Sequence, residues 1–401
     1  KNHSDLMATS DNVTMSTGNV TSEPSTFVSA PDDFKPKNIM VTGGAGFIAS
    51  HFVILIVEKY PGCRVVNFDK LDYCSCLANL DGVANKENYK FVKGDICSSD
   101  LVNYVLKSEE IDTIVHFAAQ THVDNSFGNS FQFTQNNIMG THVLLEAAKN
   151  SGQIKRFVHV STDEVYGEGT ASQDAMAEEH VLEPSNPYAA TKAGAEFLVK
   201  SYHRSFDLPV IITRGNNVYG PHQFPEKLIP KFINQLMRNR PLTIHGTGLN
   251  TRNFLFVTDV ARAFEFILFK GNVGSIYNIG GSNEISNIEV AKRLIKYMHM
   301  EKIEEQLLTF VPDRCFNDLR YTIDHSKLEG LGWRELISFE EGLQATVKWY
   351  NEHSHRFGNI ESALVAHPRA GALPEAGTAP SKTEVHENGD APVAKKAKTG
   401  P

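Results

Sequence analysis

The stretch NIMVTGGAGFIAS, from Asn38 to Ser50, joins a short apolar run to a glycine-rich turn and an apolar helix start. Gly43 and Gly46 allow the backbone to turn tightly and to approach a pyrophosphate, and Ala49 takes the third position of the spacing G-x-x-G-x-x-A. The first N–H groups of the following helix then face that anion. The stretch therefore predicts a strand, a turn and a helix that together bind a dinucleotide.

Short apolar segments alternate with helical patterns from this stretch to about residue 215. The predicted strands are Asn38–Val41, Arg64–Phe68, Tyr89–Val92, Thr113–Phe117, Arg156–Val160 and Val210–Thr213. The predicted helices include Ile48–Lys59, Phe131–Asn150 and a helix that follows Asn186 and has Pro187 in its first turn. Apolar strands joined by helices form a parallel sheet with helices on both faces. We therefore predict an α/β fold with a Rossmann-like, doubly wound parallel sheet.

The pattern changes after Gly215, where glycine, proline and asparagine become frequent. Two later helices are predicted by capping boxes, one from Ser286 to Glu289 and one from Ser338 to Glu341. This half is predicted to form a smaller, irregular α/β lobe that binds a substrate.

The chain divides into four predicted parts. Residues 37–215 are assigned to a dinucleotide-binding domain, to which the chain returns near 250–275, and residues 216–352 mainly to the second lobe. Residues 1–36 and 353–401 are polar and lack a hydrophobic period, so we predict that both tails are disordered. The final PVAKKAKTG is a small basic cluster that fits either a localisation signal or a solvated tail.

Composition and charge restrict the classes of partner. The net charge of -8 gives no reason to expect nucleic acid or an anionic membrane as a partner. No run approaches the ~18 apolar residues of a membrane span, and the N-terminus lacks a signal-peptide pattern. The five cysteines are odd in number and have no zinc-site spacing. We therefore expect reduced thiols, no metal site and a cytoplasmic protein.

Asp69 is a second sign of nucleotide binding. It ends the second predicted strand, 26 positions after Gly43. A carboxylate there can bind both ribose hydroxyls of NAD and repel a 2′-phosphate. Lys70 follows directly, so charge alone does not exclude NADP. We predict NAD as the cofactor.

Two further strand ends are predicted to border the cofactor. Asp95 follows the third strand and either reaches the adenine side or caps a turn. Ala118 and Ala119 follow the fourth strand and either allow close approach of the cofactor or simply pack there. The predicted cofactor contacts are Gly43, Gly46, Phe47, Ile48, Asp69, Lys70, Asp95, Ile96, Ala118, Ala119, Tyr188 and Lys192.

The segment NPYAATKAGAE places Tyr188 and Lys192 four residues apart, so both lie on one face of a helix. A tyrosine with its usual pKa of about 10 is a poor base, but a nearby ammonium group and the positive nicotinamide ring favour the phenolate and lower that pKa. A tyrosinate can then take a proton from a sugar hydroxyl while hydride leaves to NAD. Thr162, after the fifth strand, is predicted to bridge Tyr188 and the substrate by hydrogen bonds.

The stretch RFVHVSTDEVYG, from Arg156 to Gly167, places Asp163 and Glu164 side by side after an apolar strand. Adjacent like charges repel each other and raise one pKa, so such a pair is unusual at the end of a buried strand. It fits either acidic residues at a helix start or two carboxyl groups that turn toward one ligand.

Together these motifs resemble those of nucleotide-sugar 4,6-dehydratases of the extended short-chain dehydrogenase/reductase superfamily. The segments that carry the resemblance are TGGAGFIAS, DKLDYC, HFAAQTHVDNSF, STDEVYG, NPYAATKAGAE, NNVYGPHQFPEKLIPKFI and DRCFNDLRY. They extend over about residues 37–352. They are most similar to the UDP-glucose 4,6-dehydratase domain of plant-type rhamnose synthases, and next to dTDP-glucose 4,6-dehydratases.

The resemblance implies a catalytic set of Thr162, Asp163, Glu164, Tyr188 and Lys192. UDP-glucose would become UDP-4-keto-6-deoxy-glucose by C4 oxidation, elimination of water across C5 and C6, and hydride return to C6 from tightly bound NADH. Tyr188 would take the O4 proton, Glu164 would remove the C5 proton and Asp163 would donate a proton to the departing C6 hydroxyl. The two carboxyl groups then need pKa values that are pushed apart.

The resemblance also implies partners. A homodimer is expected through the helices Phe131–Asn150 and Pro187–Ser201. No second globular domain follows Tyr350 in the printed sequence, so we expect a separate epimerase/reductase to use the keto sugar.

Substrate contacts are implied in the second half by the same resemblance. They are Asn217, Lys227, Leu228, Lys231, Arg252, Arg314, Asn317 and Tyr321. Arg252 and Arg314 would bind the diphosphate, because guanidinium groups match phosphate oxygens. Asn217 would hold the substrate near the nicotinamide. The dTDP enzymes usually have G-H-D where this chain has residues 316–318 (FND), which favours UDP-glucose and leaves dTDP-glucose as the alternative.

Two other functions compete with this interpretation. A UDP-sugar 4-epimerase or a UDP-glucuronate decarboxylase would share the glycine motif and the Tyr–Lys pair, but neither needs the Asp–Glu pair, and decarboxylases resemble STSEVYG. A catalytically silent nucleotide-binding protein would show loss of Tyr188, Lys192, Asp163 or Glu164, and all four are present.

Overall fold

The computed structural model describes residues 34–169, 174–313 and 320–365 of the 401-residue chain. Its strands are β1 (Asn38–Thr42), β2 (Arg64–Asp69), β3 (Tyr89–Lys93), β4 (Thr113–His116), β5 (Arg156–Thr162), β6 (Val210–Gly215), β7 (Asn217–Tyr219), β8 (Leu242–His245), β9 (Thr251–Phe256), β10 (Ile276–Ile279), β11 (Glu284–Ser286) and β12 (Leu308–Val311). Its helices are α1 (Phe47–Lys59), α2 (Ser99–Ser108), α3 (Val123–Gly128), α4 (Ser130–Phe133), α5 (Gly140–Ser151), α6 (Pro187–Phe206), α7 (Leu228–Leu236), α8 (Val257–Lys270), α9 (Asn287–Tyr297), α10 (Glu304–Leu307), α11 (Ser326–Gly330), α12 (Phe339–His353) and α13 (Glu361–Leu364). Across the described ranges, every helix is too short or too polar to cross a bilayer.

The main sheet contains seven parallel strands, in the order β10-β6-β5-β4-β1-β2-β3 within the described residues. All six strands predicted from the sequence lie in it, and β10 adds an edge strand from the second half of the chain. The strand order reverses between β1 and β4. The predicted α/β, doubly wound class is confirmed.

Helices cover both faces of the main sheet. On one face α1 and α8 pack together and bury Phe52 and Phe264. On the other face α2, α5 and α6 bury Val102, Leu144 and Val199. Because the strands are covered on both sides, most side chains of β1, β4 and β5 are buried, which explains their continuous apolar runs.

The second lobe combines short strands with helices. β7 pairs in parallel with β9, β11 pairs with β9 in the antiparallel direction, and β8 and β12 form a separate parallel pair. Helices α7, α9 and α12 bury Phe232, Leu294 and Leu343 in one core. Between these elements α8 and β10 return to the main sheet. The second half therefore builds a smaller α/β lobe, as the sequence predicts.

The single helix predicted over Phe131–Asn150 is divided in the structure. A π-helical segment, Thr134–Met139, separates α4 from α5. Within it, Asn137 Nδ2 donates to the backbone oxygen of Gln120 and to Thr191 Oγ1, both at 3.0 Å. Such π-helical turns are frequent near functional sites. Here the segment ties the loop after β4 to helix α6.

Only one of the two predicted capping boxes is complete in the described residues. Ser338 Oγ accepts from the backbone N–H of Glu341 at 3.3 Å, and Glu341 Oε2 accepts from the backbone N–H of Ser338 at 3.1 Å. Ser286 likewise accepts from the N–H of Glu289 at 3.3 Å. The carboxylate of Glu289 instead accepts from Arg293 Nε at 2.9 Å, because this partner lies one helical turn ahead.

The chain remains structured beyond residue 353, where the sequence predicts disorder. A 3₁₀ turn, Ser354–Phe357, and α13 follow α12. Leu364 is buried, and its backbone oxygen accepts from Gln235 Nε2 at 2.9 Å. This packing against α7 orders a segment that composition alone assigns to the tail. Residues 1–33 and 366–401 lie outside the described residues.

The glycine turn provides a test of the fold. Gly43 has a φ of +71°, and a Cβ placed on it would lie 2.8 Å from the backbone Cα of Ala118. Gly43→Ala should therefore lower the free energy of unfolding by about 2–4 kcal/mol, measured by urea denaturation. The matched control is Gly62→Ala, since nothing lies within 4 Å of a Cβ there. Equal stability of the two variants would contradict the strain assigned to this turn.

Candidate active site

A cavity of about 360 Å³ runs along the carboxyl ends of the main-sheet strands and reaches β7 and the start of α7. Residues at the ends of five strands border it, namely Gly43, Asp69, Ala118, Thr162 and Asn216. In open α/β sheets, ligands bind at these ends, at the point where the strand order reverses. The cavity therefore lies where the fold favours a ligand site.

Most of the predicted cofactor contacts are brought together here. Those that border the cavity are Gly43, Gly46, Phe47, Ile48, Asp69, Lys70, Ile96, Ala118, Ala119, Tyr188 and Lys192. Asp95 does not border it. Its Oδ1 accepts from the backbone N–H of Cys97 at 2.9 Å. Of the two interpretations of Asp95, the structure therefore favours the turn cap over the adenine contact.

Asp69 joins the end of β2 to the glycine turn. Its Oδ2 accepts from the backbone N–H of Ala45 at 3.0 Å, and its Oδ1 accepts from the N–H of Leu71 at 2.7 Å and from Ser75 Oγ at 3.1 Å. Burial raises the pKa of Asp69, and these hydrogen bonds oppose that rise. The carboxylate is thus fixed in place at the cavity wall.

The ammonium group of Lys70 is already paired with residues of the cavity wall. Its Nζ lies 3.2 Å from Asp72 Oδ2 and donates to Asn136 Oδ1 at 3.1 Å. A 2′-phosphate would have to compete with Asp72 for this ammonium group and would also approach Asp69. This arrangement suits a ribose with free hydroxyl groups better than a phosphorylated one.

The groups around the glycine turn fit a dinucleotide. No described side chain caps α1 at Gly46, and the first turn of α1 has no acidic residue, so the positive end of the helix dipole faces the cavity. Ser161 Oγ and Gln223 Oε1 are buried at the cavity wall and have no hydrogen-bond partner among the described residues. Buried polar atoms of this kind cost free energy unless a ligand pairs with them. The cavity therefore suits a polar, anionic ligand.

The acid pair sits on a 3₁₀ turn, Asp163–Tyr166, that begins where β5 ends. Thr162 caps this turn, and its Oγ1 accepts from the backbone N–H of Glu164 at 3.4 Å. Because the chain turns at the strand end, both Asp163 and Glu164 border the same cavity instead of pointing to opposite faces.

Different partners hold the two carboxyl groups. Asp163 Oδ2 accepts from Asn216 Nδ2 at 2.6 Å, and its Oδ1 accepts from Thr162 Oγ1 at 3.2 Å. Glu164 Oε2 accepts from Asn186 Nδ2 at 2.9 Å. The Asp163 side chain is buried, whereas Glu164 is half-buried. The two acids therefore occupy unlike environments despite being adjacent in sequence.

The environment of Asp163 changes the pKa of its carboxyl group. Burial, and then the negative charge of Glu164, raise the pKa of Asp163 to about 7, while the hydrogen bonds from Asn216 and Thr162 and the charge of Arg252 act in the opposite direction. At neutral pH a large fraction of Asp163 is protonated and can donate a proton. This is the arrangement that an acid and a base on neighbouring residues require.

Tyr188 and Lys192 lie one turn apart on α6, and both border the cavity. Asn186 fixes the start of this helix, because its Oδ1 accepts from the backbone N–H of Ala189 at 2.9 Å. The same amide holds Glu164, so Asn186 joins the acid–base turn to the helix that carries Tyr188.

The protein groups around Tyr188 raise its pKa, so Lys192 alone does not produce the predicted lowering. Burial, followed by the charges of Glu164 and Asp163, raises the pKa of Tyr188 well above its usual range, and a hydrogen bond with Thr162 opposes this only in part. Lys192 Nζ donates to the backbone oxygen of Val160 at 2.6 Å, and burial lowers the pKa of Lys192 to about 8. The ammonium group is therefore engaged with the strand rather than with the phenol.

The predicted substrate contacts separate into three groups. Asn217, Lys227 and Leu228 border the cavity, and Lys227 Nζ donates to the backbone oxygen of Thr121 at 2.8 Å. Lys231, Arg252 and Tyr321 do not border it. Arg314 and Asn317 lie outside the described residues.

The three residues away from the cavity have other contacts. Lys231 Nζ donates to the backbone oxygen of Val365 at 2.6 Å. The guanidinium carbon of Arg252 lies 5.0 Å from the ring centroid of Tyr321, and its Nη1 donates to the backbone oxygen of Thr251 at 2.7 Å. The charge of Arg252 nevertheless acts on Asp163.

Several residues at this site were not predicted from the sequence. Asn216 and Asn186 hold the acid pair, and Gln120 Nε2 donates to Asp72 Oδ2 at 2.7 Å on the cofactor side. Asn186 carried a usable signal, because an asparagine before a helix-starting proline is a common N-cap. Asn216 lies beside the predicted Asn217, and only the three-dimensional structure distinguishes their roles.

Comparison with known proteins places these features in a family. The family described as GDP-mannose 4,6 dehydratase matches residues 40–346. An Arabidopsis thaliana protein named as a trifunctional UDP-glucose 4,6-dehydratase, 3,5-epimerase and 4-keto-rhamnose reductase is 57% identical over 344 residues, which cover 85% of this chain and 51% of the relative. The chain thus spans about half the length of these plant relatives. A Bos taurus dTDP-D-glucose 4,6-dehydratase is 50% identical over 341 residues, which cover 84% of this chain and 95% of the relative.

Solved structures agree with this placement. The Streptomyces venezuelae dTDP-glucose 4,6-dehydratase DesIV, crystallised with NAD, is 41% identical, has a TM-score of 0.75, and the match covers 79% of this chain and 97% of that one. A Thermotoga maritima UDP-glucose 4-epimerase is 29% identical, has a TM-score of 0.72, and the match covers 79% of this chain and 99% of that one. The fold is therefore shared between dehydratases and epimerases, and the side chains of the site must distinguish them.

The raised pKa of Asp163 predicts a pH-dependent effect on stability. The folded protein holds this proton more tightly than the unfolded chain does, so the wild type loses stability as pH rises from about 4 to about 7. Asp163→Asn removes that loss. We compare the free energy of unfolding of the variant minus that of the wild type, measured by urea denaturation. This difference should be larger at pH 8 than at pH 5 by about 1–3 kcal/mol. The control Asp207→Asn removes a charge from an exposed position. A pH-independent effect at Asp163 would contradict the assignment.

Proposed function

The chain belongs to the GDP-mannose 4,6-dehydratase family of nucleotide-sugar 4,6-dehydratases, and from that premise we propose that it is an NAD-dependent UDP-glucose 4,6-dehydratase. The product is UDP-4-keto-6-deoxy-glucose, and one water molecule is released. The observation that carries the proposal is the buried Asp163 carboxyl, which keeps its proton near neutral pH beside Glu164. Elimination at C6 needs such an acid, whereas 4-epimerisation does not.

NAD suits the cofactor side of the cavity. When bound, it accepts hydride from C4 of the sugar and returns hydride to C6. Asp69 is placed to bind the ribose hydroxyls, the turn from Gly43 to Gly46 to receive the pyrophosphate, and Ala118 to allow close approach at the sheet edge. Structures of the relatives were obtained with NAD, which supports the same assignment here.

The residues of the acid–base turn and of α6 divide the proton transfers. Tyr188 takes the proton from O4. Burial raises its pKa, and the hydrogen bond with Thr162 and the positive nicotinamide ring of bound NAD would act in the opposite direction and favour the phenolate. Glu164 removes the proton from C5, which the C4 ketone has made acidic. Asp163 donates its proton to the C6 hydroxyl, which leaves as water. Glu164 then returns a proton to C5 and ends as a carboxylate. Tyr188 is left with the O4 proton and Asp163 without its own, so loss of a proton from Tyr188 and uptake of one by Asp163, by exchange with water, complete the cycle.

The identity of the nucleotide rests on the relatives. The plant relatives named for UDP-glucose are 57% identical, and the animal relatives named for dTDP-glucose are 50% identical. The sequence FND at residues 316–318, where the dTDP enzymes usually have G-H-D, supports UDP-glucose. The keto sugar would then be a substrate for 3,5-epimerase and reductase activities, for which the plant relatives are also named.

The substrate proposal is tested by incubating the purified chain with UDP-glucose and with dTDP-glucose and following the sugar by NMR. We expect a 4-keto-6-deoxy sugar from UDP-glucose, with a kcat/KM at least about tenfold above that for dTDP-glucose. A preference for dTDP-glucose would overturn the choice of nucleotide. Formation of a galactose or xylose nucleotide would overturn the dehydratase assignment.

A homodimer through α4–α5 and α6 is part of the proposal. Phe131 on α4, Met139 in the π-helical segment and Phe197 on α6 are exposed by 87%, 51% and 61%, respectively. Large apolar side chains grouped on contacting helices are typical of protein interfaces. These exposed residues support the helix pair that the family resemblance implies as the dimer contact.

Phe197→Asp should convert the dimer to a monomer, because it places a charge in the centre of an apolar contact. Analytical ultracentrifugation measures the change. Leu336→Asp is the matched control, since Leu336 is 63% exposed and lies in the second lobe. A dimeric Phe197→Asp protein, or a monomeric wild type, would contradict this interface.

A further inference from the structure

Arg214 lies at the centre of a buried polar network next to the acid–base turn. It belongs to β6 and is 1% exposed. Its Nε and Nη2 donate to the two carboxylate oxygens of Glu196 at 3.0 and 2.7 Å. Its Nη1 donates to the hydroxyl of Tyr166 at 2.8 Å and to the backbone oxygen of Glu178 at 2.9 Å. One guanidinium group therefore contacts three separate segments of the chain.

The register of the main sheet places Arg214 between two further members of the site. Arg214 is opposite Ser161 on β5 and opposite Asn278 on β10. Asn278 Oδ1 accepts from the Tyr166 hydroxyl at 2.8 Å, and Asn278 Nδ2 donates to the backbone oxygen of Asp324 at 2.9 Å. The network thus continues from the turn to the segment that follows Tyr321.

The contacts of Arg214 join the two parts of the catalytic machinery. Tyr166 is the last residue of the 3₁₀ turn that begins with Asp163. Glu196 lies on α6, one turn beyond Lys192 and two turns beyond Tyr188. Neither Arg214 nor Tyr166 borders the cavity, so neither can touch a substrate there. Any effect of this pair on the reaction must pass through the segments that it holds.

We propose that Arg214, acting through Tyr166, is a positioning residue that fixes the acid–base turn relative to helix α6. This inference rests on the proposed function, in which Asp163 and Glu164 carry out elimination and Tyr188 serves C4 oxidation. The network fixes the position of Asp163 and Glu164, which act in elimination, relative to Tyr188, which acts in C4 oxidation. Loss of the contact to Tyr166 releases the turn, while the ion pair with Glu196 still holds α6.

The chemistry of the network suits this role. Arginine supplies several donors in one plane, and Arg214 uses them on a carboxylate, a hydroxyl and a carbonyl group at once, which lysine cannot reproduce. Burial raises the pKa of Tyr166 to about 12, so the phenol stays protonated and its hydroxyl donates a hydrogen bond to Asn278 Oδ1. A buried ion pair adds little net stability but fixes geometry when all its partners are satisfied.

Tyr166→Phe is the variant that tests the proposal. Arg214→Ala would leave the buried Glu196 with only the more distant Lys200, at 3.6 Å, and would strongly destabilise the fold, whereas Tyr166→Phe removes one hydroxyl group. We expect reduced nicotinamide to form within about threefold of the wild-type rate in a rapid-mixing experiment. Elimination, followed as 4-keto-6-deoxy sugar in the same reaction, should slow by about ten- to a hundredfold. The matched control is Tyr60→Phe, because the Tyr60 hydroxyl bonds to Glu265, away from the cavity.

Two outcomes would overturn the proposal. The first is an equal loss of both steps in Tyr166→Phe, and the second is no loss of either step. Asp163→Asn supplies the reference for complete loss of the acid with C4 oxidation retained.

Amide hydrogen exchange separates failure of this proposal from failure of the proposed function. Exchange should accelerate by about tenfold in residues 162–167 of Tyr166→Phe and stay unchanged in α6, with or without a substrate. If the wild type converts no nucleotide sugar, the proposed function fails. The exchange pattern then still shows whether Tyr166 holds the turn, and unchanged exchange in residues 162–167 would overturn the positioning role.

Discussion

The adjacent carboxyl groups of Asp163 and Glu164 at the buried end of β5 impose the constraint on which the site depends. Two charges this close in a poorly solvated place repel each other, so keeping a proton on one of them costs less free energy. The protein assigns the proton by burying Asp163 against Asn216 and leaving Glu164 half-buried with Asn186. One turn of the chain can therefore supply both the acid and the base that the proposed elimination needs.

The fold provides the place for this turn but does not determine the reaction. A parallel, doubly wound sheet collects the ends of β1, β2, β4, β5 and β6 at one edge, so a dinucleotide and a sugar can meet there. A 4-epimerase has the same fold at a TM-score of 0.72. The turn after β5, together with the asparagines that hold it, would separate elimination from epimerisation.

Features that depend on neighbouring residues could be predicted from the sequence. The glycine turn, the six strands, the Tyr–Lys spacing and the acid pair are of this kind, because each is specified within a short segment. Contacts between distant segments could not be predicted, such as Asn216 with Asp163, which are 53 positions apart. The effect of the surrounding protein groups on the pKa of Tyr188 could not be predicted either. Burial and the charge of Glu164 raise this pKa, and the ammonium group of Lys192 bonds to a strand carbonyl.

Asp163 is expected to keep its proton near neutral pH because it is buried beside Glu164. Titration of the aspartate carboxyl carbons by ¹³C NMR measures this directly, with Asp163→Asn used to assign the resonance. The account predicts a resonance that titrates with a pKa of about 7 and is missing from the variant. A resonance for Asp163 that titrates near the usual aspartate value of about 4 would contradict it.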